Sequence, residues 1–440
     1  MKHERLKRIL IILSLVLAAE VVTMCVLITM ETNRRNQSYL PTHTDWLLFT
    51  EPTQPSTEET TLPTEDTLPP ETTEATEPHP ESHILTFAGD CTLGSAPSMF
   101  SVDSSFVKTV GTNYDYPFAN VKDIFENDDF TMVNLEGVFA ESGNAQSKLF
   151  TFRGPIAYTQ ILTGSSVEAV TLANNHSFDF GQKGYDSTKN ALDEAGVSYV
   201  EENKIRIFTT ERGLKIGMYA DAFNFSVDDI KENIQKLKDA GAQVIVCAFH
   251  WGEEGKYRPG QAQQDFAHAA LEAGAHIVYG HHPHVLQRTE QTEQGVILYS
   301  MGNFSFGGNT APRDMDSAIA QVEIIVDPDG TVQVGKLELI PTRISSVENY
   351  NNYQPTPYEP DTEAYDRTME KLNGTFTGPD LTVDYEEEET EPTTEATTEA
   401  TTEATTESTT EITEPSTETT DPSVEETEES AQSTGETETT

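Results

Sequence analysis

The 440 residues carry 27 Lys and Arg against 74 Asp and Glu, a formal net charge of −47. A chain this acidic has no general attraction for nucleic acid or another polyanion, so any anion it binds must be held by local cations. About 28 of the acids lie in residues 51–82 and 386–440, which contain no Lys or Arg, so most of the charge belongs to two segments and the rest of the chain is only moderately acidic.

In chain order, Lys2, Arg5, Lys7 and Arg8 precede an apolar run from Ile9 to Met30, broken by Glu20. At about 1.5 Å per residue the run is long enough to cross a bilayer core of roughly 30 Å. A cleaved signal peptide is the competing reading, but the run continues past Ala18 and Ala19, and a signal h-region usually stops at about 15 residues. The expectation is an uncleaved single-pass anchor: residues 1–30 form a basic cytoplasmic end and a transmembrane helix, with the remainder extracellular at the cell membrane.

Residues 31–82 follow as a linker rich in Thr, Glu and Pro, and residues 386–440, which include TTEATTEATTEATTES, form an acidic tail. Neither has the apolar area needed to offset ordering entropy, so both are expected to be disordered. The four-residue period is too short for a solenoid repeat. Three cysteines are too few for a disulfide framework: Cys25 lies in the apolar run, while Cys91 and Cys247 sit in or beside apolar strands as buried thiols.

Between these segments lies one folded domain, residues 83–345, with a partly ordered C-terminal extension at 346–385. In DIKENIQKLKDAGAQVIVCAFH, residues 229–250, Ile230, Ile234 and Leu237 share a helical face, Gly241 ends the helix, and Val244–Phe249 is a continuously apolar strand. DFAHAALEAGAHIVYGHH repeats the scheme, with Gly274 before Ile277, and ALDEAGVSYV does so again. Helix, glycine, buried strand argues an α/β domain whose strands are covered on both faces.

Each polar cluster falls at the carboxyl end of such a strand: Asp90; Asn134 and Glu136; Asn174, Asn175, His176 and Asp179; His250; and His281, His282 and His284. In open α/β sheets these ends converge on one crevice. Carboxylates, amides and imidazoles gathered there suit Mn, Fe or Zn, and a carboxylate shared by two ions is the usual core of a dinuclear hydrolytic centre. In an extended His-Pro-His both imidazoles point the same way. Any one of these histidines taken alone could equally be satisfying backbone groups in a loop.

The neighbours carry two readings each. Asp179 either fixes the tautomer of His176 or caps a turn; Glu254 either reaches the crevice or is a solvated turn carboxylate; Trp251 is pocket wall or core. Arg153, Arg258 and Arg288 are clamps for an anion or surface ion pairs. Asn174, His281 and Asn303 stand at strand ends facing substrate, with Arg153 and Glu254. His268 and His276 are structural.

Six segments in order, FAGDCTLG, VNLEGVF, LANNHSFDFG, FHWGEE, GHHPHVLQ and SMGNFSF, resemble the capsule-synthesis CapA family of poly-γ-glutamate capsule biosynthesis. The resemblance covers nearly all of the folded domain. It implies the calcineurin-like metallophosphoesterase architecture, a four-layer αββα sandwich. It further implies two divalent ions: Asp90 and His284 on the first, Glu136 bridging, and Asn175, His250 and His282 on the second, with His176 protonating the leaving group. Two positions depart from the phosphoesterase pattern: Thr92 stands where that pattern has His, and Glu136 where it has Asp.

The implied function is poly-γ-glutamate capsule biosynthesis or export, with an anionic polymer or phosphoester as substrate and capsule synthetase membrane proteins as partners. A surface metallophosphoesterase unconnected with capsule, and a polymer-binding module without chemistry, are the alternatives. No GxxxxGK phosphate loop occurs, so ATP-driven ligation belongs to another protein.

Overall fold

The computed structural model describes residues 79–223 and 225–383. The strands are β1 (Glu81–Cys91), β2 (Phe130–Leu135), β3 (Val138–Phe139), β4 (Arg153–Gly154), β5 (Ala169–Thr171), β6 (Ser198–Val200), β7 (Lys204–Thr209), β8 (Lys215–Ala222), β9 (Val244–His250), β10 (Ile277–His281), β11 (Thr289–Gln291), β12 (Val296–Leu298), β13 (Asp316–Val326), β14 (Val332–Arg343) and β15 (Thr356–Pro357). A seven-stranded sheet has the order β15-β14-β13-β1-β2-β5-β6, a six-stranded sheet the order β11-β12-β10-β9-β8-β7, and β3 pairs with β4. In the first sheet β1, β2, β5 and β6 run parallel, and in the second β8, β9, β10 and β12 do; antiparallel strands complete the edges.

Side-chain alternation places each sheet between two apolar layers. Leu85, Phe87 and Met132 of the first sheet pack with Met218, Val246, Ala248 and Tyr279 of the second in one core between the sheets. The intervening residues face outward. Val133, Leu135 and Val170 meet Phe106, Ile161 and Leu192, whereas Ile245, Cys247 and Phe249 meet Ile230, Ile234, Leu237 and Leu271. Continuous burial of β9, the consequence of two covered faces, is what its uninterrupted apolar run predicts.

The helices start and stop on local signals. Val227–Asp239 begins with a capping box in which Ser226 Oγ accepts from Asp229 N and the Asp229 carboxylate accepts from Ser226 N. Gln261–Ala273 ends at Gly274, whose φ of 103° an L-residue would adopt only with strain. Both then deliver a parallel strand.

The expected single-pass membrane location is overturned: among the described residues no helix is long and apolar enough to cross a membrane. The run 9–30, the linker as far as residue 78 and the tail 386–440 lie outside the described residues. At the other end, β15 and a helix at Glu363–Leu372 lie past residue 345 within the same compact unit, the helix packing on β13 and β14.

Candidate metal centre

Asp90 ends β1, Glu136 follows β2, and Asn174–His176 follow β5, three adjoining parallel strands of one sheet; His250 ends β9 and His281 ends β10, neighbours in the other. The carboxyl ends of all five meet. Asp90 is wholly buried, and its Oδ1 accepts from Asn134 Nδ2 at 2.9 Å and from His281 Nδ1 at 2.7 Å. Its Oδ2 lies 3.2 Å from His284 Nδ1. Glu136, also fully buried, has Oε1 3.7 Å from His250 Nε2, 3.7 Å from His284 Nε2 and 4.0 Å from His176 Nε2. Asn175 Oδ1 meets His250 Nε2 at 2.8 Å.

Two groups have donor atoms close enough to share one ion: Asp90, Glu136 and His284, and Glu254, His282 and His284. His284 belongs to both. His282 and His284 hold positive φ values of 94° and 55°, uncommon for non-glycine residues, so the His-Pro-His segment is bent to aim both rings inward. Phe223 meets the rings of His250 and His282 edge-on, Phe306 lies against His284, and Phe152 against His176.

Several buried polar atoms have no hydrogen-bond partner among the described residues: both carboxylate oxygens of Glu136, Nδ1 of His250 and His282, and Nε2 of His281. An unpaired buried polar group costs about 1–3 kcal/mol, so a cluster of them in a native site calls for an explanation. A cation supplies one for Glu136, and the carboxylate, amide and imidazole donors are the set that borderline divalent ions take. The residues fit a metal.

The protonation pattern agrees. Burial opposes the charge of Asp90, but hydrogen bonds with His281 and His284 hold its carboxyl well below the usual range. Burial pushes Glu136 well above it. Burial also opposes charge on His284, yet Glu136 and Asp90 raise it to about 10. Glu136 and His284 are one buried system, and its geometry supports the retention of a proton that the free side chains would give up near neutrality. Burial lowers His250 strongly, burial and the His284 charge bring His282 down to about 4, and burial lowers His176 despite Asp179. Neutral imidazoles with free lone pairs are ligands in waiting.

The remaining predicted residues fall into place differently. His176 Nδ1 donates to Asp179 Oδ2 at 2.9 Å; that oxygen also accepts from Phe152 N, and the other contacts the Lys148 ammonium, so Asp179 is buried behind His176 and does not cap a turn. Lys148, which also reaches Asn175 O at 2.7 Å, had no signal in the sequence. Asn174 and His281, expected to face substrate, are buried supports. Asn174 bonds Asn134, Leu135 O and His176 N, while His281 orients Asp90. The Arg153 guanidinium lies between the Phe100 and Phe180 rings at 5.1 and 5.2 Å, outside the cavity over the cluster. Asn303 does line that cavity of ≈ 240 Å³, and its Oδ1 holds His284 Nδ1 at 2.9 Å. Glu254 lines it too and joins the ligand candidates. Thr92 is buried, bonded to Gly94 O and Gly307 N. His276 accepts from Ile245 N, and His268 pairs with Glu290.

The model of the family described as bacterial capsule synthesis protein PGA_cap matches residues 84–308, which contain every one of these site residues. The capsule biosynthesis protein CapA of Bacillus anthracis is 30% identical over 275 residues, 56% of this chain and 64% of that protein. The PGA biosynthesis protein CapA of Bacillus subtilis is 28% identical over 246 residues, 50% of this chain and 64% of that protein. The chain thus spans just under two thirds of the length of these relatives. Among solved structures, the NAD nucleotidase of Haemophilus influenzae is 10% identical, covers 67% of this chain and 56% of its own, and superposes with a TM-score of 0.33, too low to argue from.

Proposed function

This chain belongs to the bacterial capsule synthesis family PGA_cap, and from that premise we propose that it acts in poly-γ-glutamate-type capsule biosynthesis through a dinuclear divalent-metal, hydrolase-like centre. The four layers of helices, sheet, sheet and helices serve on this reading as a metallophosphoesterase-like frame that brings five strand ends together. The observation that carries it is His284 shared between two convergent ligand groups, with both Glu136 oxygens buried and unpartnered.

Asp90, Glu136 and His284 would hold one ion, and His282, Glu254, His250 and Asn175 the other. Divalent ions in such a site supply Lewis-acid polarisation of a substrate oxygen and charge neutralisation. The chain's own residues do the rest. Asp179 takes the Nδ1 proton of His176 into a hydrogen bond, leaving Nε2 directed at the cluster, where His176 can hold or deliver a proton to a leaving group. Asn303 and Asp90 keep the His284 ring in place. Phe152 and Phe306 give the cavity an apolar wall beside His176 and His284.

An acidic polymer is the substrate or ligand of this site, and chain ligation is left to a separate synthetase. The second reading, a polymer-binding module without turnover, draws on Thr92: its hydroxyl is committed to Gly94 and Gly307, so the first ion lacks the extra imidazole of a phosphoesterase. Metal analysis of the purified protein tests the proposal. About two equivalents of Mn, Fe or Zn are expected, falling in the His284→Ala variant; a metal-free wild type after incubation with all three ions would refute it.

A further inference from the structure

Beyond the family-matched residues the chain turns back across the metal cleft. The helix Glu363–Leu372 is docked by Lys371, a buried ammonium bonded to both Asp314 and Asp316, and by Arg367 on Asp316. Phe376 then packs edge-on against Tyr257, and residues 380–383 lie beside the loop that carries Glu254. The Asp380 carboxylate accepts from the Arg258 guanidinium at 2.9 Å and from Tyr257 N at 3.1 Å, with Lys256 Nζ at 3.7 Å. Leu381 N donates to Gly255 O at 3.0 Å, and the Arg313 guanidinium donates to Thr382 O. Gly255 has φ +74°, and a Cβ there would stand 2.7 Å from Leu381 O, so the loop is shaped for a chain at this distance.

Leu381 and Val383 separate two cavities that both open on candidate ligands. One, of ≈ 240 Å³, contains His176, His284 and Asn303; the other, of ≈ 570 Å³, contains His282 and Lys256; Glu254 lines both. A single cleft is thus divided by a strap lying beside a candidate ligand. The groove under the strap offers two cations and a backbone N–H to a carboxylate, a guanidinium to a main-chain carbonyl, and a carbonyl to an amide N–H. That is the recognition set for an extended polyamide bearing carboxylates.

We propose that Pro379–Val383 is an intramolecular occupant of this groove, and that a free carboxylate-bearing polyamide takes its place to reach the metal centre. The identification of that polyamide with capsule polymer rests on the function proposed above; the groove itself does not. Lys256 and Arg258 are about half exposed, and ion pairs so placed are screened by water, so the strap is held loosely enough to be displaced. A tethered occupant competes at high effective concentration, and one bound in about nine molecules of ten weakens the apparent affinity of a free ligand about tenfold.

The test uses the full chain and a fluorescein-labelled oligo-γ-glutamate, followed by fluorescence anisotropy at low salt. The Asp380→Asn/Leu381→Ala variant should bind the probe about tenfold more tightly than wild type, and adding Arg258→Ala should remove the gain. Hydrogen exchange at the backbone amide of position 381 reports release of the strap; if it stays protected, replacing residues 379–383 by Gly and Ser releases it. A released strap without tighter binding overturns the proposal. So does a gain that persists without Arg258, or equal binding of an uncharged oligoglutamine. Metal content measured on the same samples keeps the two ideas apart: a protein that binds no metal but gains probe affinity loses the metal centre and keeps the groove.

Discussion

Replacing Glu136 by Gln changes one buried oxygen to an amide nitrogen and removes the charge from the middle of the cluster. In the metal-free protein both carboxylate oxygens are buried without partners, each costing about 1–3 kcal/mol. Gln keeps one acceptor 3.7 Å from the His284 ring and removes the cost of burying a charge without hydrogen-bond partners. We expect the metal-free variant to be more stable by about 1–2 kcal/mol, a rise in Tm of about 2–5 °C.

The pH dependence has a defined sign. A carboxyl raised on folding contributes stability below its ordinary value of 4.5 and loses it as pH rises through the folded value; His284, raised to about 10, contributes fully below 6.5 and loses it as pH rises toward 10. Metal-free wild type should therefore lose stability between pH 7 and 8.5, where the lowered histidines His250 and His282 are neutral in the folded protein and have nearly finished titrating in the unfolded chain, so their opposing contribution is small. The variant should be flatter, because the carboxylate that raises His284 is gone. With metal the order reverses: an ion at about 100 times its Kd stabilises the wild type by about 2.7 kcal/mol, which the variant forgoes. Thermal melts in EDTA and in excess Mn or Zn, at pH 7.0 and 8.5, check this. A variant that melts lower than wild type in EDTA, or one that gains as much from metal as wild type does, would refute the account of Glu136 as an anion held in place for a cation.

Replacing His282 or His284 by Ala should lower bound metal in elemental analysis while the metal-free fold survives, since both rings stand in the polar cluster at the strand ends; unchanged metal in the double variant would remove both from the ligand set. His176→Gln should keep its metal, and any hydrolysis should fall by about 100- to 10,000-fold, the usual consequence of losing a general acid; full turnover would exclude His176 as the proton donor. Metal binding near pH 7 should expel the proton held by Glu136 and His284, so the measured heat should scale with buffer ionisation enthalpy and the affinity should tighten about tenfold per pH unit for each proton released. Lys371→Met should cost about 3 kcal/mol, the lower end for a broken buried pair because Arg367 stays on Asp316, and chemical denaturation reads it directly.

Much of this molecule could be read before any coordinate. Val244–His250 is buried on both faces because its run is apolar without alternation, and the Gly241 and Gly274 stops are dictated by φ values that other residues resist. The strand-end rule gathered Asp90, Glu136, Asn175, His250, His282 and His284, since parallel strands put their carboxyl ends on one side whatever their order. The apolar run 9–30 with its basic flank led to the expectation of a single-pass anchor; the run lies outside the described residues, and among those no helix is long and apolar enough to cross a membrane.

Only the tertiary structure decided what each polar side chain does there. Asp90 and His281 are 191 residues apart and 2.7 Å apart in space, a contact fixed by the packing of two separate sheets. Local sequence cannot tell a side chain that faces the cavity from one turned behind a neighbour. Asn174 and His281 support other residues, Asp179 backs His176, Arg153 lies between two rings, and Glu254 stands among the ligand candidates. The strap at 379–383 was invisible for the same reason: its partners Gly255, Arg258 and Arg313 are brought to it by the long return of β13, β14 and the Glu363–Leu372 helix, and nothing in its own five residues records where that return ends.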